Sequence, residues 1–328
     1  AQAMARDAGR IEQAIVNMDA SPLGAGALAG TAFPIQREET ARLLGFSGCV
    51  ENSLDAVASR DFAWELMSAM TIASLTWGRI AQDFYVWATP EFGLIEFPDS
   101  VAGTSSIMPQ KKNPVVVEYL KGKTSHLIGL LTAAMSAVKG THFTHSGDGN
   151  RESMRSFWES ADECLRCLVL FKLVIDSARP VEATMLHKAR TDFSTATDLA
   201  DALVRESDLS FREAHHVVGA VVRQALDAGL PASDITAEMV NAAATEQTGR
   251  PICLSEQSVR LCLDPAYSLE SRSAKGGPAP SLVVLRIAQQ RDELHKAQER
   301  AMRTRQMVAD SRTRLQCELT ELADLSAD

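Results

Sequence analysis

Between Gly103 and Pro114 the chain reads G-T-S-S-I-M-P-Q-K-K-N-P, a polar stretch among segments rich in Leu, Ile, Val, Ala and Met. Two hydroxyls, Ser105 and Ser106, are followed by Lys111 and Asn113, six and eight residues beyond the first serine. A fixed positive charge and an amide donor at that spacing suit the binding of a carboxylate, and the surrounding Gly and Pro shape a defined loop. The serines alone could equally cap backbone N–H groups, the commonest use of Ser in a loop. Lys112, Lys121 and Lys123 follow closely, so the spacing predicts a local cationic pocket for a small anionic substrate.

The elements that must hold this loop read as helices. Apolar residues are 45% of the 328 residues and aromatics only 5%, with Ala and Leu dominant, which points to an all-α fold built on helix packing. Apolar spacing predicts helices over Ala3 to Asn17, Pro34 to Phe46, Asp55 to Thr89, Pro114 to Val138 and Arg151 to Ser177. The three longest would each run roughly 38 to 52 Å at 1.5 Å per residue, so they must lie side by side as a bundle. Their polar residues are too few to cover every face, which predicts a homo-oligomer sharing one core. We place a central helical-bundle domain at residues 1–179, carrying the loop at 103–114. A small C-terminal helical domain with a terminal helix follows at 180–328, with shorter helices over Thr197 to Arg205, Phe211 to Ala228 and Ala237 to Thr245.

A formal net charge of -9 with scattered basic residues argues against nucleic acid as a partner. No run of about 18 apolar residues suggests a membrane span, and the N-terminus lacks a signal-peptide pattern. Six cysteines without a compact framework suit a reducing cytoplasm. Cys164-x-x-Cys167 falls inside a helical run with no second Cys/His pair and reads as buried thiols, and no metal site is apparent. The Gly-rich stretch Ser21 to Thr31 has no strand before it, which makes a dinucleotide loop a weak reading.

The stretch ending at Pro114 resembles the signature of the fumarase/aspartase superfamily, G-S-S-x-M-P-x-K-x-N-P. The double lysine is similar to the argininosuccinate lyase branch, as are Ser21 to Thr31, E-N-S-L-D-A-V at Glu51 to Val57, Arg60-Asp61-Phe62 and F-R-E-A-H-H at Phe211 to His216. The resemblance runs over nearly the whole chain. It implies a homotetramer whose active sites draw segments from three subunits, and a cofactor-free anti elimination that releases fumarate from an N-substituted aspartate. Ser105 is then the base, Lys111 and Asn113 hold the carboxylate whose charge grows, and Glu118 orients a histidine from another segment. Ser106 and Met108 join the substrate-binding set.

Two departures narrow the expectation. The family's two earlier signatures, which supply substrate-binding Ser, Arg and Asn and a Thr-His pair, would precede Ala1; His215 and His216 match the small C-terminal domain and read as structural. Where argininosuccinate lyases typically read Y-N-K-D-L-Q, this chain has H-S-G-D-G-N at His145 to Asn150, so His145, Gly147 and Asn150 stand at the Tyr, Lys and Gln positions. With a lysine and a tyrosine gone, a different N-substituted aspartate fits at least as well, such as the aminopolycarboxylate ethylenediamine-disuccinate. The family also includes lens crystallins that keep the fold with little or no activity, so a structural protein is the alternative. Ser105, Lys111, Asn113 and Glu118 occurring together favour the enzyme.

Overall fold

In the computed structural model, which describes residues 1–104, 107–108 and 110–325, long runs of Ala, Leu and Met become helices. Helix α1 (Gln2–Asn17) leads through the Gly-rich turns to α2 (Arg37–Leu44), α3 (Ser53–Ala58) and α4 (Asp61–Trp87). Strands β1 (Ile95–Glu96), β2 (Gly103–Thr104) and β3 (Lys112–Asn113) precede α5 (Val115–Val138). A π-helical turn over Asp148–Glu152 enters α6 (Ser153–Ser177), and β4 (Arg179–Pro180) follows. Helices α7 (Glu182–Thr191), α8 (Ala196–Ser207), α9 (Phe211–Asp227), α10 (Ala237–Thr248), α11 (Glu256–Leu263), α12 (Pro265–Ser271) and α13 (Pro280–Leu325) complete the described chain. The fold is all-α, as the composition implies.

The chain divides into two compact units, one of residues 1–89, 97–178 and 290–328, the other of 90–96 and 179–289. The terminal helix, grouped on sequence with the C-terminal part, therefore counts with the first unit from residue 290 onward.

In the first unit α5 packs against α6 and α4, and α1 against α4. The α4–α5 approach is set by small residues. Gly78 faces Thr124 so closely that an added Cβ would lie 3.0 Å from its Oγ1. Thr71 and Ser74, one turn apart, donate their hydroxyls to carbonyls of their own helix and also, at 3.3 Å, to those of Leu127 and Thr124 on α5. This satisfies the buried hydroxyls without water. Trp77 and Phe171 stack at 6.3 Å between α4 and α6.

The second unit has its own core. Leu199 and Leu203 of α8, Val217 and Val221 of α9, Val240 of α10 and Val259 of α11 are fully buried. Helix α9 opens with a capping box, Ser210 and Glu213 each satisfying the other's backbone N–H. The buried Asp198 accepts from Ser268 at 2.5 Å and from Arg272 at 2.9 Å, which ties α12 to α8. β1 and β4 form a short antiparallel pair.

One predicted element differs. The continuous helix over Asp55 to Thr89 is broken at Ser59 and Arg60, whose backbones leave the helical region (ψ 142° at Ser59, φ -136° at Arg60). The Ser59 hydroxyl bonds the Asp55 carboxylate, a local side-chain partner of the kind that competes with helix continuation.

A charged contact joins α5 to α6. Glu163, 6% exposed, accepts from Lys123 at 3.0 and 3.2 Å, meets His126 Nδ1 at 2.8 Å, and lies 3.5 Å from Arg166. Burial pushes its carboxyl up, but the hydrogen bonds and charges of Lys123 and His126 outweigh this and hold it below the ordinary carboxylate value. A depressed folded pKa means the contact stabilises above the unfolded value, about 4.3, and is lost as pH falls through the folded value. Glu163→Gln should therefore lower unfolding free energy by about 1–3 kcal/mol at pH 7, since it leaves a half-buried lysine without its counter-charge. The gap between the two proteins in urea titrations should shrink below about pH 4. A gap that stays constant down to pH 3 would contradict this account.

Candidate active site

The signature stretch is a hairpin that runs straight into a helix. β2 and β3 pair antiparallel, Gly103 opposite Asn113 and Thr104 opposite Lys112. Between them the Lys111 N–H bonds the Met108 carbonyl at 3.0 Å. Ser105 and Ser106 lie outside the described residues. Lys111 is exposed, Met108 is 41% exposed and Asn113 is half-buried at the hairpin's exit.

Gly103 is required here by space rather than by a turn. A Cβ at this position would sit 2.1 Å from Val115 Cγ2, a short branched side chain in the first turn of α5 that has nowhere to swing. The hairpin thus leans directly on the helix start. Pro114 occupies the N-cap of α5, one position earlier than the first-turn placement the sequence suggested. Glu118 stands exposed in that first turn, its N–H bonding the Pro114 carbonyl at 3.1 Å, where the helix dipole favours a carboxylate.

The expected four-lysine pocket does not form. Lys112 pairs with Asp99 at 2.5 Å, the Lys121 ammonium lies 4.2 Å over the Tyr85 ring, and Lys123 is committed to Glu163. The reason is periodicity: residues two apart on a helix point to nearly opposite faces, so Lys121 and Lys123 serve different neighbours. The Lys111 ammonium alone of the four has no ion pair, hydrogen bond or ring contact among the described residues.

His145 is exposed on the connection after α5, and Asn150 is half-buried in the π-helical turn. No hydrogen bond or ion pair links either to Lys111, Asn113 or Glu118 among the described residues. Asn150 instead accepts through Oδ1 from the guanidinium of Arg60 at the start of α4. One turn on, Trp64 Nε1 donates to Ser153 Oγ at 2.9 Å. Arg60 and Trp64 share a helix face and grip the entry to α6. Sequence alone gave Arg60 only as part of a motif, because its partner lies 90 residues away.

Elsewhere, Cys164 and Cys167 are buried and burial pushes both thiols up to about 11, so they are inert at neutral pH. All six cysteines are unpaired. His215 and His216 are exposed on α9, their rings edge to face at 6.0 Å. Among the described residues, no group of three or more His, Cys, Asp or Glu could hold a metal ion, and no helix is long and apolar enough to cross a membrane.

Residues 1–129 match a family model described as Lyase, and residues 193–270 match one described as Argininosuccinate lyase C-terminal. The chain is 41% identical over 284 residues to argininosuccinate lyase 1 of Shouchella clausii, covering 87% of this chain and 57% of that protein. It is 38% identical to argininosuccinate lyase of Methanothermobacter thermautotrophicus, covering 86% of this chain and 60% of the relative. The chain thus spans roughly three fifths of these curated relatives. Among solved structures it resembles EDDS lyase, in complex with formate and as a variant with bound fumarate, each at 31% identity and TM-score 0.89, covering 97% of this chain and 63% of that one. A class II fumarase from Schistosoma mansoni, 13% identical with TM-score 0.62 over 79% of this chain and 55% of that one, shares the fold.

The contact between Gly103 and Val115 gives a direct test. Gly103→Ala should cost about 1–3 kcal/mol in urea unfolding through overpacking, and Val115→Ala in the same chain should recover a large part of it. Strictly additive effects would show that the hairpin does not lean on α5.

Proposed function

Since the chain belongs to the argininosuccinate lyase branch of the fumarase/aspartase superfamily, we propose that it is a carbon–nitrogen lyase eliminating fumarate from an N-substituted L-aspartate. What supports this is the pairing of β2 with β3 against the start of α5, with Lys111 just before β3, Asn113 in it and Glu118 in the first turn of the helix.

The chemistry assigned to these groups is an anti elimination. Ser105 Oγ, as the alkoxide, takes the proton from the carbon next to a carboxylate, and the electrons move into that carboxylate as an aci-carboxylate dianion. The Lys111 ammonium and the Asn113 amide N–H₂ meet the added charge, so they serve the transition state more than the ground state. The dianion then collapses: the C=C bond of fumarate forms, the C–N bond breaks, and the electron pair leaves with nitrogen, which takes up a proton. Glu118 orients a histidine from another segment, Ser106 and Met108 line the succinyl side, and His145 and Asn150 face the amine side. The amine belongs to an argininosuccinate-type or an aminopolycarboxylate substrate such as ethylenediamine-disuccinate.

The working form is a cytoplasmic homotetramer with shared sites. What supports assembly is the apolar surface left on the bundle helices. On α6, Leu165, Val169 and Leu173 recur at helical spacing and are 62%, 70% and 38% exposed, and Ile72 and Leu75 on α4 with Ile128 and Met135 on α5 are exposed likewise.

Ser105→Ala should cut fumarate formation, followed near 240 nm, by about 10³-fold with the far-UV spectrum unchanged, the scale of a lost general base. Full activity in that variant would remove Ser105 as the base. Scattering-detected chromatography should give a particle of four chains, and an active monomer would contradict the shared-site scheme.

A further inference from the structure

Along α1 the apolar residues Met4, Ala8, Ile11 and Ile15 recur at spacings of four, three and four, so they share one face over about 17 Å of helix. The stretch of α13 that meets them is built from small side chains, Ala297, Ala301 and Thr304, again four and three residues apart. Such side chains do not reach across to the α1 stripe. The result is a cavity of about 770 Å³ in the first unit, backed by Ala73 and Trp77 of α4 and Leu168 of α6. Trp77 is 3% exposed, whereas Ile15 and Leu168 are 45% and 40% exposed, so the space runs from solvent down to the buried core. An ion pair ties the two helices together beside it, both carboxylate oxygens of Glu12 accepting from the Arg300 guanidinium.

The charges around this cavity do not balance. Two acids line it among the described residues, and each is fully occupied: Glu12 by Arg300, and the buried Asp7 by Arg10 at 2.8 Å on one oxygen and Thr76 at 2.7 Å on the other. Three arginines line it, and of these Arg300 has an acid. Arg303 and Arg305 are exposed on either side of the row of small residues, with no ion pair or hydrogen bond among the described residues. An apolar wall beside two uncompensated guanidiniums suits a molecule with an aliphatic body and an anionic end. Because charged side chains flank the opening, a slender methylene chain reaches Trp77 where a protein surface would have to desolvate them.

We propose that this cavity binds a medium-chain fatty acid, its tail lying along the α1 stripe onto Trp77 and its carboxylate held at the Arg303 and Arg305 guanidiniums. The site uses no residue of the hairpin or of α5, so its test is independent of the lyase function. Calorimetric titration of the whole chain with decanoate, octanoate and decan-1-ol, each kept below the concentration at which it aggregates, supplies that test. Decanoate should bind at one site per chain and about tenfold more tightly than decan-1-ol, the scale of one charge-assisted hydrogen bond. Each methylene removed should weaken binding about fourfold, which sets octanoate below decanoate. The double variant Arg303→Gln with Arg305→Gln should lose the preference for the acid while keeping the affinity for the alcohol. Ala301→Trp should fill the cavity and abolish binding of both. Where that variant loses its helical far-UV signal, the smaller Ala301→Leu takes its place and should weaken both ligands together. No binding of decanoate, several sites per chain, an affinity untouched by substitution of Ala301, or an acid preference that survives loss of both arginines overturns the assignment. An affinity that falls as protein concentration rises gives the groove to a second copy of the chain and overturns it as well.

Discussion

The close approach of α4 to α5 is the constraint on which the rest of the first unit depends. It exists because Thr71, Ser74 and Gly78 fall on one face of α4 at spacings of three and four residues, and because Thr124 and Leu127 of α5 present carbonyls there. Hydroxyls that would otherwise be costly to bury instead bridge two helices. The distance between axes is then fixed by atoms that cannot be enlarged. With α5 held in this way, the position of its first turn is settled, and with it Val115, against which the hairpin of Gly103 rests. A site assembled on a loop gains its precision from a helix end that cannot shift.

The same geometry distributes charge. In an acidic chain the four lysines after the serines look like one pool, but Lys112, Lys121 and Lys123 each have a different neighbour. Lys123 is spent on Glu163, where it helps lock α5 to α6, and Lys121 covers an aromatic face. What remains uncommitted is Lys111 at the loop's end. The carboxylate-binding role proposed for Lys111 benefits from that economy, since a neighbouring internal acid would compete with a ligand for its charge.

The helices and the signature loop were legible in the sequence because both depend on local pattern: apolar spacing for the first, residue type and order for the second. Gly103 was legible as a motif letter, while its cause, a van der Waals contact with Val115, needed coordinates. The break before α4 was hidden because Ser59 and Arg60 are tolerable inside a helix, and only a local hydroxyl–carboxylate bond and a distant amide favour the other conformation. The contacts of Glu163 with α5 and of Arg60 with Asn150 join segments 37 to 90 residues apart, and no periodicity encodes such a pairing. Helices α7, α11 and α12 are 7 to 10 residues long, too short to stand out by periodicity.

Among the described residues, Lys111 beyond β2 and Arg60 at the start of α4 both lack an ion pair with an acid. They differ in kind. Lys111 is exposed, a hydrated point charge whose strength as a clamp grows only when a closed site excludes water, which suits charge that develops during reaction. Arg60 is already half-buried and held by neutral acceptors, so its geometry is set before any ligand arrives, which suits recognition of charge present from the start. Under the lyase function proposed above, the developing charge falls to the hydrated Lys111, while the geometry of Arg60 is already fixed by neutral acceptors.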